Sequence, residues 1–463
     1  RNPENKSTAY NQTMIADNYI ITHNSIKEPP VSFGSKLKFL GPGFILSASI
    51  VGSGELIATT VLGARAGFIA FWIIIVSCLV KVAIQLEFGK RAVISGETPM
   101  QSFSKLPGPR LGKTNWTVTV VFFLTLLKII QVGGMLGGSA IVLSMLFPVL
   151  PVFAWAIAIA ILIAVLIYKN YYRLVEKSSL IMVVAFTALT IVSLVAVSFT
   201  PYHFTMADIT SGLQFELPAH LVILAIGAFG ITGVASDEII AYNYWCIEKG
   251  YAAYTGPADN TAEWNKRARG WTSVMYLDAL VAMIIYTAVT AAFYLLGASI
   301  LYNRGEIPEG NALIETLAHI YTQSLGNGIR TAYLIGAFFV LFSSVFATLA
   351  YWSRLFSDIF GQFGWIDFYN PVKRKKTIAI LSWIFPAVWV VAYLFIQLPV
   401  FMIISGGVVG SVLLLIVAFA ALCFRYHKNY PSLKSSLFYT ILFWLSIISI
   451  GMIAVYGLVK LIS

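Results

Sequence analysis

Eleven stretches of the chain are apolar enough to cross a bilayer: 39–66, 67–92, 116–147, 151–169, 178–200, 217–247, 271–299, 329–357, 377–396, 398–424 and 435–460. A helix needs about 20 mostly apolar residues to span the hydrocarbon core. These runs are continuous and do not alternate every second residue, so the pattern predicts spanning helices and not a lipid-facing barrel. The polar segments between them, the longest at 93–115, 248–270 and 300–328, are short. The expected organisation is a polar tail over 1–35, then one membrane domain over 36–463 in which spans 1–5 (39–200) and 6–10 (217–424) form two halves and 435–460 is an added span. Within 310–324, Leu313, Leu317 and Ile320 recur at helical spacing and predict a short amphipathic surface helix.

Two spans interrupt their own pattern. The first carries Val-Gly-Ser-Gly-Glu-Leu over residues 51–56, and the sixth carries GAFGITGVASDEII over 227–240, ending in Asp237 and Glu238. Glycine-interrupted helices at corresponding positions in two halves point to a transporter binding site. With five spans per half, the second half enters the membrane in the opposite sense, as an inverted repeat. An unwound turn at the midplane frees N–H and C=O groups, which are costly unless an ion, a ligand or water satisfies them. Half-helix N-termini favour anions and C-terminal carbonyls favour cations. The glycines Gly133, Gly134, Gly137 and Gly138 of span three read instead as close-packing positions.

Composition supports the class: 58% of the 463 residues are hydrophobic and 11% charged, against about 25% charged in an ordinary soluble domain. The net charge of +11 does not imply nucleic acid, because 25 of the 31 Lys and Arg fall in segments that lie on one side if the N-terminus is cytoplasmic. This positive-inside bias predicts a multi-pass protein of the cell membrane with its N-terminus inside and its C-terminus outside. The first 35 residues hold no signal-peptide core. Cys78, Cys246 and Cys423 have neither metal nor disulfide spacing and are expected to pack. No dimer signal is present, and a monomer in the lipid bilayer is expected. The five histidines are scattered and no hydrolase or phosphate-loop motif appears, so a sensor or intramembrane enzyme is the weakest reading.

Span one opens with Gly41-Pro42-Gly43-Phe44, passes through Gly52-Ser53-Gly54-Glu55 and continues to Gly63-Ala64-Arg65-Ala66-Gly67-Phe68. In this it resembles the first span of the NRAMP metal transporters, with Gly52-Ser53-Gly54-Glu55 falling, without a gap, where the family's D-P-G-N stands. Gln85 matches in span two, and Gly227, Gly230 and Thr232 match the G-x-x-G-x-T spacing of span six. The resemblance implies an all-α, LeuT-like fold with broken helices 1 and 6 that works by alternating access. It does not imply the substrate, because the positions of the family's metal-holding Asp, Asn and Met are Gly52, Glu55 and Val234, and its span-six His falls at Ser236. A thioether selects soft transition metals, and Val234 cannot supply one.

The favoured expectation is therefore cation-coupled uptake of a small oxyanion, such as bicarbonate or a small carboxylate. Its binding residues are expected to be Gly52, Ser53, Gly54, Glu55, Gly230, Ile231, Thr232, Gly233 and Ser236, with Lys128 as a cationic partner and Gln131 on the same face. Lys128 reads equally as a structural partner of Glu55, Asp237 or Glu238. Inward movement of an anion against about 100 mV costs about 2.3 kcal/mol per charge, so Na⁺ or H⁺ coupling is expected through Glu55, Asp237 and Glu238, or through Ser343, Ser344 and Thr348 of span eight. No cofactor is expected beyond a bound Na⁺. The alternative is a divalent-cation transporter for Mg²⁺, Mn²⁺ or Fe²⁺, since magnesium binds through few carboxylates and keeps part of its water.

Overall fold

The structure, a computed structural model, describes residues 17–52, 54–168, 172–259, 261–426 and 435–462. Its helices are α1a (Pro42–Ile50), α1b (Gly54–Ala66), α2 (Phe71–Ser95), α3 (Trp116–Leu146), α4 (Val152–Tyr168), α5 (Tyr172–Ala196), α6a (Val222–Ile231), α6b (Ser236–Lys249), α7 (Ala262–Leu296), α8 (Arg330–Gln362), α9 (Pro371–Ile396), α10 (Pro399–Tyr426) and α11 (Leu437–Ile462). Among the described residues, eight helices are long and apolar enough to cross a membrane, or nine if the bent pair α1a and α1b is one span. Among the described residues, the spans expected at 151–169 and 178–200 correspond to the apolar helical stretches Val152–Tyr168 and Val183–Phe199.

The helices sort by which faces they can bury. α2 lies along α7 and α6b, and α1a packs on α7, making one group. A second group comprises α3, α4, α8 and α9, and α10 bridges the two by lying against both α6a and α3. The glycine face of α3 permits this closeness: a Cβ on Gly137 would stand 2.1 Å from the Tyr393 ring of α9, and one on Gly134 2.8 Å from Met402 of α10. The peripheral faces of α4, α5, α9 and α11 expose Ile161, Val184, Phe395 and Met452, the apolar outer surface that a bilayer requires.

Between the spans, Leu313–Leu325 is helical and buries Leu313, Leu317 and Ile320. Arg110–Leu111 and Thr114–Asn115 form a small antiparallel hairpin between α2 and α3. Of the tail expected over 1–35, the part from residue 17 onward is described, and it lies against the helices: Asp17 pairs with Arg374 and the Trp271 indole donates to the Lys27 carbonyl. All three cysteines are free and buried.

Candidate functional site

Spans one and six are both broken. α1a and α1b meet at 41°, and α1b begins with a wide π-helical turn over Gly54–Thr59, in which the Thr59 and Thr60 hydroxyls donate to the carbonyls of Gly54 and Glu55. Such turns gather at functional positions because they loosen the regular ladder. α6a ends at Ile231 and α6b starts at Ser236, with Gly233 between them at φ +60°, a left-handed conformation that glycine adopts without strain. The breaks touch: a Cβ on Gly54 would lie 2.7 Å from the Ile231 carbonyl oxygen, and one on Gly52 would lie 1.6 Å from Ser344 Oγ of α8.

Freed backbone groups at the breaks are claimed by side chains. At the N-terminal end of α6b, Ala235 N–H donates to Glu238 Oε2 (2.8 Å), and Gly233 N–H donates to Glu55 Oε1 (3.1 Å). Glu55 Oε1 also accepts from Thr290 Oγ1 of α7 (3.1 Å), while its Oε2 is buried without a partner. At the C-terminal end of α6a, Ser77 and Lys81 of α2 donate to the carbonyls of Phe229 and Thr232, and Thr232 Oγ1 donates to Ser77 Oγ. At the end of α1a, Ser343 and Ser344 donate to the carbonyls of Ala48 and Ser49, 3.3 and 3.1 Å away.

A cavity of about 40 Å³ lies on the α1a and α6b side of these breaks. An enclosed water needs about 10–15 Å³ on this measure, so the cavity suits an ion with a few waters and not an amino acid. Its wall includes Asp237, Glu238, Ser49, Thr348, Met135 and Tyr351. Glu238 also accepts from Ser49 Oγ (3.1 Å), and Asp237 is paired with Lys128 at 2.5 Å. Of the structural partners open to Lys128 in the sequence, the pair is with Asp237.

The geometry separates the expected residues. Gly54, Ile231, Asp237, Glu238, Ser344 and Gln131 line the cavity. Gly52, Glu55, Thr232 and Gly233 build the breaks behind it, and Ser53 lies outside the described residues. Two expected binding residues do other work: Gly230 is a packing position, whose Cβ would stand 1.8 Å from the Gly407 carbonyl of α10, and Ser236 donates to the Gly410 carbonyl at 2.9 Å. Ser343 and Ser344 likewise spend their protons on carbonyls of their own helix and α1a. Val234 is fully buried and does not line the cavity. Among the described residues, no group of three or more His, Cys, Asp or Glu is arranged to hold a metal ion. Sequence reasoning missed Ser49, Ser77, Met135 and Thr290, and gave Lys81 no role.

The comparisons with known proteins agree with this architecture. The family model described as natural resistance-associated macrophage protein-like matches residues 43–460. An uncharacterised protein of Pasteurella multocida is 26% identical over 340 residues, covering 69% of this chain and 70% of that protein. The divalent metal cation transporter MntH of Latilactobacillus sakei is 23% identical over 277 residues, 58% of this chain and 55% of that one. In fold, the chain is similar to a manganese transporter mutant from Eremococcus coleocola (TM-score 0.52, 12% identity, 95% and 99% of the two chains). It is also similar to MhsT in complex with L-phenylalanine (TM-score 0.53, 15% identity, 94% and 99%) and to the nucleobase-cation-symport transporter Mhp1 (TM-score 0.57, 12% identity, 91% and 90%). The fold is thus the LeuT-like one, all-α with broken first and sixth helices, and the chain belongs to the natural resistance-associated macrophage protein-like family of membrane transporters.

Proposed function

We propose that this transporter carries a hard divalent cation, Mg²⁺ foremost, through the cavity between the broken helices. The observation that supports it is the pair of carboxylates, Asp237 and Glu238, on a small wall that also presents Ser49 and Thr348. Magnesium is held by one or two carboxylates and keeps several waters. An oxyanion is served poorly, because the freed N–H groups of Gly233 and Ala235 ahead of α6b already hold Glu55 and Glu238, and Lys128 already holds Asp237. The family supports ion transport, and the name of the Latilactobacillus relative mentions divalent metal cations.

In this reading Glu55 carries the coupling proton. Its side chain is fully buried at the break, and Oε2, the oxygen without a partner, is open to a proton. The basic bias of the loops supports placing α1a and α6b toward the cytoplasm. A second reading is favoured by one residue: Met135 brings a thioether to the wall, which suits Mn²⁺.

Purified protein in liposomes tests both. Saturable Mg²⁺ uptake is expected, lost by about tenfold or more in Glu238→Gln, with Glu55→Gln uptake insensitive to a pH gradient. Mn²⁺ uptake that outcompetes Mg²⁺ and falls in Met135→Leu favours the second reading. Bicarbonate uptake without divalent-cation uptake overturns both.

A further inference from the structure

We propose that Lys81 is a tethered counter-cation that fills the cation-binding end of broken helix six, so that the break needs no monovalent ion from solution. This rests on the reading that the breaks of spans one and six are the transport site. The carbonyls at the end of a half-helix carry about half a negative charge and are where a free cation binds in a broken span. Here the carbonyls of Phe229 and Thr232 accept from Lys81 Nζ, the second at 2.9 Å.

Five observations mark the ammonium as a permanent occupant. The Lys81 side chain is wholly buried. Among the described residues it joins no ion pair, in contrast to Lys128, which pairs with Asp237. Its Nζ sits 4.6 Å from the Phe229 ring centre, a cation–π seat that suits a desolvated ammonium. Ser77, one turn earlier on α2, shares its one hydroxyl proton between the same two carbonyls, 3.1 and 3.0 Å away, and Thr232 Oγ1 returns a bond to Ser77. α2 presses on the break itself, since a Cβ on Gly233 would stand 3.0 Å from Cys78 Cα. Two carbonyls at the acceptor end of α6a, those of Phe229 and Thr232, are therefore taken up from α2 on the side of the break away from Asp237 and Glu238.

Removing the side chain should open a site for a small monovalent cation. Lys81→Ala is compared with wild type by thermal melting of the purified protein in sodium, potassium, methylammonium and choline chloride at equal ionic strength. Wild type should melt alike in all four and transport without Na⁺. Lys81→Ala should melt lower and recover by about 3 °C or more, saturably, in methylammonium but not in choline, which is too large to enter. A Lys81→Ala variant indifferent to the cation overturns the proposal. Should that variant not fold, Lys81→Gln, which keeps the donor and loses the charge, is read beside Lys81→Arg: loss in Gln with retention in Arg supports the role, and a Gln variant equal to wild type overturns it. Melting does not depend on the cargo, so absent Mg²⁺ uptake in wild type sinks the transport reading and leaves this test standing.

Discussion

At Gly52 a methyl group has no room. Its Cβ would fall 1.6 Å from Ser344 Oγ and 2.9 Å from the Ser49 carbonyl, so α1a and α8 meet through the missing side chain. Gly52→Ala should cost about 1–3 kcal/mol, the range of core overpacking, read as a lowered melting temperature and a loss of uptake. Ser344→Gly in the same chain should recover part of it, because Ser49 still crowds the site. Gly138→Ala, whose nearest neighbour would be Leu341 at 3.4 Å, should stay near wild type. A Gly52→Ala protein that melts like wild type would mean the break relaxes freely. This residue was legible in the sequence as part of a glycine-flanked carboxylate inside an apolar run. The groups that complete the site were not: Ser77 and Lys81 on α2 and Thr290 on α7 meet the breaks only after folding, and no local spacing announces that.

One carboxylate ties three elements together at the entrance to the first span. Asp278 of α7 accepts from the backbone N–H groups of Gly41 (2.8 Å) and Gly43 (2.5 Å), at the start of α1a, and from the Tyr242 hydroxyl of α6b (2.9 Å). An anion at a helix N-terminus answers both the unpaired N–H groups and the helix dipole. Asp278→Asn should cost about 1.5–3 kcal/mol, as for hydrogen bonds to a charged acceptor, and Tyr242→Phe about 1 kcal/mol. If the carboxylate couples α1a to α6b, the double variant should depart from additivity by about 0.5 kcal/mol or more in melting experiments. Strict additivity would leave two independent contacts. At this scale the sequence was informative about existence and poor about partners. Hydropathy marked every long helix, and Gly-Pro-Gly-Phe marked the start of α1a, yet Asp278 stands in an ordinary apolar span 235 residues from Gly43. Its role comes from packing.

Across the whole molecule, two ion-paired ties stand at opposite ends of the helices that surround the central cavity, and they differ in strength. At one end a cavity of about 590 Å³, lined by Val61, His220 and Phe401, has the Arg65–Glu309 ion pair at its rim, with side chains 39% and 57% exposed. Exposed pairs of this kind contribute about 0–1 kcal/mol. At the other end Glu248 of α6b accepts from Arg354 Nε and Nη2 of α8, 2.5 and 3.0 Å away, and from the Tyr19 hydroxyl at 2.7 Å, while Asn18 donates to the Glu248 backbone carbonyl. This tie is bidentate, more buried, and joins α6b, α8 and the N-terminal segment, so it should dominate closure. Thr348→Cys on the cavity wall supplies a reporter, because the native cysteines are buried. Glu248→Gln, losing about 1–3 kcal/mol, should raise labelling of that cysteine by a small thiol reagent about 5- to 100-fold. Glu309→Gln should change it by no more than about twofold. If both substitutions leave labelling unchanged, helix packing alone holds the cavity shut. If Glu309→Gln has the larger effect, the exposed pair is the controlling gate and the order of the two ends is reversed.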